Sequence, residues 1–174
     1  ASPTHYIGPF GADNFAVNNN WQPWADNTYS IGTASYRWSV IYSNTGAINT
    51  SDEREKVWRG AVNAAELAAA KAIMDEFGFY QWKDAVAEKG DDARLHFGVR
   101  AQRVWTIMAE HGLVDPIKDS KPGKTPYAFL CWDEWGGHEE ECLEDGTVTQ
   151  PALQAGNRFG VRTDQLTMFL LAAQ

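Results

Sequence analysis

The pattern of apolar and polar positions changes near residue 50. Over residues 1–50, aromatic and β-branched residues gather in short runs separated by Gly and Asn, and no run has a helical period. Residues 36–42 form the clearest of these runs and predict a β-strand. Beyond residue 50, charged positions become frequent and apolar residues recur at helical spacing. We therefore expect two parts, a β-rich segment over 1–50 and a second domain over 51–174.

Helices dominate the elements predicted for the second part. Residues 61–74 are almost entirely strong helix formers. Residues 99–110 and 163–173 also have helical character, and a polar residue at the start of the last segment, Thr163 or a neighbour, is its expected N-cap. Because this last helix is apolar around most of its circumference, it must be covered by its own domain or by a partner.

Short strands and loops are predicted between these helices. Residues 79–82 and 127–132 are the strand candidates, residues 136–146 predict an acidic loop, and residues 156–160 predict a turn before the last helix. The expected fold class of residues 51–174 is α+β, with a helix-rich body and a small sheet.

The aromatic content of residues 1–50 exceeds what so short a segment can bury alone. The side chains concerned are Tyr6, Phe10, Phe15, Trp21, Trp24, Tyr29, Tyr36, Trp38 and Tyr42. Small segments that lack a sufficient core are commonly completed by oligomerisation. We therefore interpret residues 1–50 as a β-stalk that associates with further copies of itself.

Charge and hydropathy narrow the possible partners. The 174 residues carry a net charge of -8; two aspartates and one arginine give residues 1–50 a charge of -1, which leaves -7 for residues 51–174. So acidic a surface repels phosphate groups, and nucleic-acid binding is not expected. The chain also has no run of about 18 or more apolar residues, so no membrane span is expected.

Possible metal ligands are concentrated in residues 131–142. They are Cys131, Asp133, Glu134, His138, Glu139, Glu140, Glu141 and Cys142. Thiolates, imidazoles and carboxylates all bind zinc, but their spacing here matches no paired zinc motif. Two cysteines are also too few for a disulfide framework. We interpret this segment as an acidic surface loop and expect neither a metal nor a cofactor.

Residues 51–56, with the sequence SDEREK, lie at the junction of the two parts and allow two interpretations. Ser51 followed by acidic residues is typical of a helix N-cap and first turn. A serine and a lysine can also form a catalytic pair, because a lysine amine can take the proton of a serine hydroxyl. Ser51 and Lys56 would meet if the chain turned helical after the serine, where backbone N–H groups could stabilise an oxyanion. Spacing alone leaves both interpretations open.

Three segments carry a family resemblance. Residues 50–56 (TSDEREK), 96–102 (HFGVRAQ) and 159–166 (FGVRTDQL) resemble the sequence blocks of the C-terminal intramolecular chaperone of endosialidases and phage tail fibres, the peptidase S74 family. Residues 31–42 resemble the fibre segment that often leads into that domain. The order and spacing of the blocks extend the resemblance over nearly the whole chain from residue 31 onward.

The resemblance implies a self-cleaving assembly domain. Such a domain drives its upstream fibre or spike stalk into a homotrimer and is then released by a single-turnover serine autoproteolysis, with no external substrate. Carried onto this chain, the cut falls between Thr50 and Ser51, with Ser51 as nucleophile and Lys56 as base. His96 corresponds to a histidine that is also implicated in the cleavage. Asp52, Arg54, Glu55 and Gln102 lie within the matched blocks and are expected to support the site.

The resemblance also implies a location and leaves one alternative open. The stalk would belong to a virion tail fibre or tailspike, whereas the chaperone domain would be made in the host cytoplasm and be absent from the mature virion. No cofactor is implied. The alternative is a non-cleaving tip of a phage fibre, whose aromatic surface binds a receptor such as a host surface glycan.

Overall fold

The computed structural model describes residues 7–9, 15–17, 20–146 and 148–174. The chain divides into two compact units, residues 1–39 and residues 40–174. The predicted boundary between residues 50 and 51 lies inside the second unit and stays a prediction.

In its described residues, the first unit contains one short antiparallel strand pair. Strand β1 (Ile7–Pro9) pairs with β2 (Phe15–Val17). The strand predicted over residues 36–42 is wrong, since these residues form bends and irregular chain. Its apolar side chains are mostly exposed, and an isolated strand with neither a pairing edge nor a packed face is not stable.

The second unit is a mixture of helices and two-stranded sheets, consistent with the predicted α+β class. Its helices are α1 (Ala64–Met74), α2 (Lys83–Lys89), α3 (Ala101–Glu110) and α4 (Thr163–Leu171), with 3-10 turns at Glu53–Glu55 and Gly90–Asp92. Its strands are β3 (Gly78–Tyr80), β4 (His96–Gly98), β5 (Leu130–Trp135), β6 (Glu141–Cys142), β7 (Val148–Gln150) and β8 (Gly156–Val161). The strands pair antiparallel as β3 with β4, β5 with β8, and β6 with β7.

Strand β8 replaces the turn that the sequence predicts over residues 156–160. The two glycines that indicate a turn, Gly156 and Gly160, are instead strand positions paired with β5. Gly156 pairs with Trp135, and a Cβ atom at Gly156 would lie 2.8 Å from the Trp135 ring. Glycine is therefore needed here for close packing across the strand pair.

Helix α1 begins three residues later than predicted because Asn63 caps it. The Asn63 side chain accepts a hydrogen bond from the Glu66 backbone N–H, and the Glu66 carboxylate accepts one from the Asn63 backbone N–H, which completes a capping box. The second oxygen of Glu66 accepts a hydrogen bond from Tyr127 Oη at 2.7 Å. One carboxylate thus fixes both the start of α1 and the segment that leads into β5.

The core of the second unit lies where α1, α3, α4 and the start of β5 meet. Its buried residues are Ala69, Ala70, Ile73, Val104, Trp105, Ile107, Met108, Phe129, Leu130, Leu166, Leu170 and Ala173. Helix α4 is only half covered, because Leu166 and Leu170 are buried while Met168 and Leu171 are exposed on the opposite side. Across the described part of the chain, no helix combines the length and apolarity needed to span a bilayer.

Candidate functional site

Ser51 and Lys56 are brought together by a tight turn. A 3-10 turn over Glu53–Glu55 is closed by a hydrogen bond from the Lys56 backbone N–H to the Glu53 carbonyl at 3.1 Å. Lys56 itself returns to extended backbone, with φ -121° and ψ 144°. Its Nζ donates a hydrogen bond to Ser51 Oγ. The two residues predicted as base and nucleophile are therefore in direct contact.

Asp52, rather than Ser51, caps this turn. Its carboxylate accepts a hydrogen bond from the Arg54 backbone N–H at 2.9 Å and an ion pair from the Arg54 guanidinium at 2.5 Å. The hydrogen bonds from Arg54 hold the pKa of Asp52 below its usual range, and Asp52 raises the pKa of Arg54. The predicted N-cap function and the predicted nucleophile thus belong to adjacent residues, which leaves the Ser51 hydroxyl available to Lys56.

Glu55 and Gln102 are the other two residues predicted to support the site. Glu55 is exposed within the 3-10 turn. Gln102 lies in the first turn of α3, where its carbonyl accepts a hydrogen bond from Thr106 and its side chain lines a surface cavity with Phe159. Neither makes a hydrogen bond to Ser51 or Lys56 among the residues that the structure describes.

His96 lies in an aromatic cluster on the paired strands β3 and β4. It pairs with Tyr80 across the strands, and the two rings stack with centroids 5.4 Å apart at 23°. The Trp82 ring meets His96 edge-on at a centroid distance of 6.2 Å. The imidazole is exposed, and within the described residues it makes no hydrogen bond to Ser51 or Lys56. The single chain therefore places the third predicted catalytic residue outside the Ser–Lys contact.

A contact that the sequence did not predict joins this region to helix α4. Asn49 Nδ2 donates a hydrogen bond to Asp164 Oδ2 at 3.3 Å, across 115 positions of sequence. Asp164 is the acidic residue of the first turn of α4. Its position at a helix start was the available signal, because an acid there is favoured by the helix dipole. Nothing local identified Asn49 as its partner.

The Ser–Lys pair is open to solvent in the single chain. Both side chains are exposed, as are the apolar residues on either side of them. The exposed fractions are 92% for Ile48, 75% for Val57 and 84% for Trp58. Large apolar side chains exposed next to a polar site are typical of a surface that a partner covers.

The acidic segment after β5 contains a short hairpin. Strands β6 and β7 pair, and His138 uses its ring nitrogens with the Gln150 side chain and the Glu139 carbonyl. Cys142 lies beside the Glu140 carboxylate. In the described residues, no group of three or more His, Cys, Asp or Glu side chains is arranged to hold a metal ion.

Comparison with known proteins connects this geometry to one family. Residues 51–113 match the Peptidase_S74 family, described as the chaperone of endosialidase. The chain is 36% identical over 160 residues to the side tail fiber protein pb1 of Escherichia phage T5, and 34% identical over 146 residues to the tail spike protein of Escherichia virus K5. These matches cover 88% and 83% of this chain but only 11% and 21% of the two relatives. The chain therefore spans a small part of the length of these proteins.

Two solved structures are similar in fold. One is the carboxy-terminal domain of the bacteriophage T5 L-shaped tail fiber with its intramolecular chaperone domain, with a TM-score of 0.70 at 30% identity; the match covers 95% of this chain and 40% of that one. The other is described as a novel intramolecular chaperone, with a TM-score of 0.57 at 30% identity; the match covers 71% of this chain and 93% of that one. The second match therefore spans nearly the whole length of that chaperone chain.

Proposed function

Because this chain belongs to the Peptidase_S74 family and contains an intramolecular chaperone domain of phage tail fibres and tail spikes, we propose that it drives homotrimeric assembly of its stalk and then cuts itself at Thr50–Ser51. The observation that carries the cut is the hydrogen bond between Lys56 Nζ and Ser51 Oγ. That contact is the path along which a proton can leave the serine hydroxyl.

The reaction proceeds in two steps at one peptide bond. Ser51 Oγ attacks the carbonyl carbon of Thr50 while Lys56, as the free amine, accepts the hydroxyl proton. The C–N bond then breaks as that proton passes to the Ser51 nitrogen, which leaves an ester between Thr50 and Ser51 Oγ. Water hydrolyses the ester to a Thr50 carboxylate and a Ser51 that carries a free amino group. Since the nucleophile and the leaving nitrogen belong to one residue, the enzyme turns over once.

Assembly completes the site in this proposal. Ser51 and Lys56 are exposed, whereas proton transfer by a lysine is favoured where water is excluded. Ile48, Val57 and Trp58 present apolar surface beside the pair, suited to burial by another copy of the chain. His96, also exposed, would reach the reacting groups of a neighbouring subunit as a proton shuttle or as a brace for Lys56.

Cleavage after assembly has a physical benefit for the fibre. The chaperone domain directs the stalk chains into register and is released, so the trimer loses the template on which it folded. An unfolded stalk then has no template on which to refold, so its persistence depends on a high kinetic barrier to unfolding. The stalk would enter the virion tail, and the chaperone domain, made in the host cytoplasm, would stay out of the mature particle.

The experiment that tests the cut compares wild type with Ser51→Ala. Wild type should give two fragments whose masses place the break between residues 50 and 51. Ser51→Ala should give a single uncut chain that still assembles into a trimer. Efficient cutting in Ser51→Ala would exclude Ser51 as the nucleophile. Dilution of a separated monomer supplies a second test, because rapid cutting in a monomer would exclude a site completed on assembly.

A second candidate function rests on an aromatic cavity in the first unit. Trp21, Trp24 and Tyr29 line it together with Gln22, Pro23, Ser30 and Ile31. The three aromatic side chains are largely exposed, and such rings stack on sugar faces. The parent fibre would then use this region as a receptor-binding tip for a host surface glycan. A chain that stays intact in its trimer and binds glycans through this cavity would favour this function over self-cleavage.

A further inference from the structure

The segment before the proposed cut is attached to the body of its own unit through Asn49. Its Nδ2 donates a hydrogen bond to Asp164 Oδ2 at 3.3 Å. Residues 40–50 form irregular chain with exposed side chains, so local secondary structure does not fix the position of this segment. A side-chain hydrogen bond to a helix is therefore an effective restraint on where the segment lies.

Asp164 offers a rigid anchor. It lies in the first turn of α4, which packs into the core through Leu166 and Leu170. The start of α4 is also fixed, because the Arg162 backbone N–H donates to the Phe129 carbonyl at 3.0 Å. Groups held on packed helices are positioned more precisely than groups on loops.

Two hydrogen bonds therefore flank the Thr50–Ser51 bond. Asp164 holds the upstream side through Asn49, and Lys56 contacts the downstream side at Ser51. The Cα atoms of Asn49 and Ser51 are at most about 7 Å apart, since only two peptide units connect them along the chain. A restraint on Asn49 therefore also limits the position of the Thr50 carbonyl.

We propose that Asp164 is a positioning residue for the self-cleavage and acts through Asn49. The inference rests on the proposed function, because it assigns a role in the cut at Thr50–Ser51. Attack by Ser51 requires its Oγ to approach the Thr50 carbonyl carbon within about 3.5 Å and from the correct direction. The backbone dihedrals between Asn49 and Ser51 set that approach, and the Asp164 contact limits the range they sample. Asp164 touches neither reacting atom.

Exchange of the two side chains tests this role. Asn49→Asp sets two carboxylates against each other and should slow cutting by about tenfold, because small displacements of reacting groups have large effects on rate. The double variant Asn49→Asp with Asp164→Asn restores one donor and one acceptor in reversed order, and its rate should return to within about threefold of wild type. Asp164→Ala alone removes the acceptor for Asn49 and should slow cutting about as much as Asn49→Asp.

A matched control and an independent measure of assembly accompany these variants. Asn44→Asp makes the same change in the same irregular segment, outside the contact, and should cut like wild type. Each variant is also made with Ser51→Ala, so that trimer content and thermal unfolding are measured on uncut chains. If Asn49→Asp does not assemble, Asn49→Ala replaces it, since this change removes the donor without adding charge.

The outcomes separate this inference from the function on which it rests. Slow cutting in assembled Asn49→Asp, with recovery in the double variant, supports the role of Asp164. Wild-type rates in assembled Asn49→Asp or Asn49→Ala, or a double variant as slow as the single one, would overturn it while the self-cleavage stands. An assembled wild type that never cuts would instead overturn the proposed function itself.

Discussion

Lys56 Nζ reaches Ser51 Oγ although five positions separate the two residues. In a regular α-helix, a step of five residues rotates a side chain by roughly 140° and places it on a different face. The chain instead makes a three-residue 3-10 turn and leaves it at Lys56 in an extended conformation. A spacing that is unfavourable for a helical pair becomes a direct contact.

Lysine at position 56 should be required as a base as well as a hydrogen-bond donor. Lys56→Arg keeps a positive donor, but a guanidinium does not give up its proton in proteins. We expect Lys56→Arg and Lys56→Ala to cut at least about 100-fold more slowly than wild type, the usual effect of losing a general base. Time courses on denaturing gels measure these rates, and a fast-cutting Lys56→Arg would assign Lys56 a purely structural role.

Replacement of His96 by phenylalanine distinguishes a stacking role of this residue from a role in proton transfer. His96→Phe preserves a ring that can stack on Tyr80 but removes both nitrogens. If His96 assists the cut in the assembled trimer, this variant should assemble normally and cut at least about tenfold more slowly. A wild-type cutting rate would show instead that His96 serves the packing of the β3–β4 strand pair. Size-exclusion chromatography of the uncut form provides the assembly control.

Tyr127 should make the fold sensitive to alkaline pH. Burial, reinforced by the Glu66 carboxylate, raises the pKa of Tyr127 to about 12. Because the pKa is raised, the contribution of Tyr127 to the free energy of unfolding is complete below the tyrosine pKa of the unfolded chain, about 10. It is lost as the pH rises toward 12. Tyr127→Phe should lower the free energy of unfolding at neutral pH by about 1 kcal/mol through loss of the hydrogen bond to Glu66. Above pH 10, its stability should fall less steeply than that of wild type in circular dichroism melts.

Glu76 should contribute the corresponding sensitivity on the acid side. It accepts hydrogen bonds from Arg100 at 2.6 Å and Arg103 at 3.2 Å, and Arg100 is the main reason that its pKa is lowered. A lowered pKa means that the contribution is present above the unfolded value of about 4.3 and is lost as pH falls through the folded value. Glu76→Gln should therefore unfold at a lower temperature than wild type at neutral pH. The two melting curves should converge in acid, and the neutral-pH difference should shrink in about 1 M salt.

The sequence predicted the features that depend on neighbouring residues. Helix α1 follows from its run of helix formers, although its start at Ala64, set by the reciprocal bonds of Asn63 and Glu66, is three residues later than predicted. The segments of α3 and α4 were found within one or two residues at their ends. These elements are specified locally, so a single sequence contains enough information to place them.

Features that depend on distant partners were missed or wrong. In the sequence, Gly156 indicates a turn. Its role in β8 depends on its pairing with Trp135, which only the structure shows. The strand predicted over residues 36–42 has suitable side chains but no pairing edge. In the candidate site, the family motif indicated Ser51 and Lys56, whereas the contact of Asn49 with Asp164 joins residues too far apart for any local pattern.

The proposed cut would change the thermodynamic character of the Asn49–Asp164 contact. In the intact chain it closes a loop within one molecule, and each group meets the other at the high effective concentration that a covalent connection provides. After a break at Thr50–Ser51, the same two groups belong to separate polypeptides. The contact then depends on how long stalk and chaperone remain associated through their other surfaces. In the proposed reaction, a bond that restrains the substrate segment before the cut would add little to product retention afterwards, and this would favour departure of the chaperone.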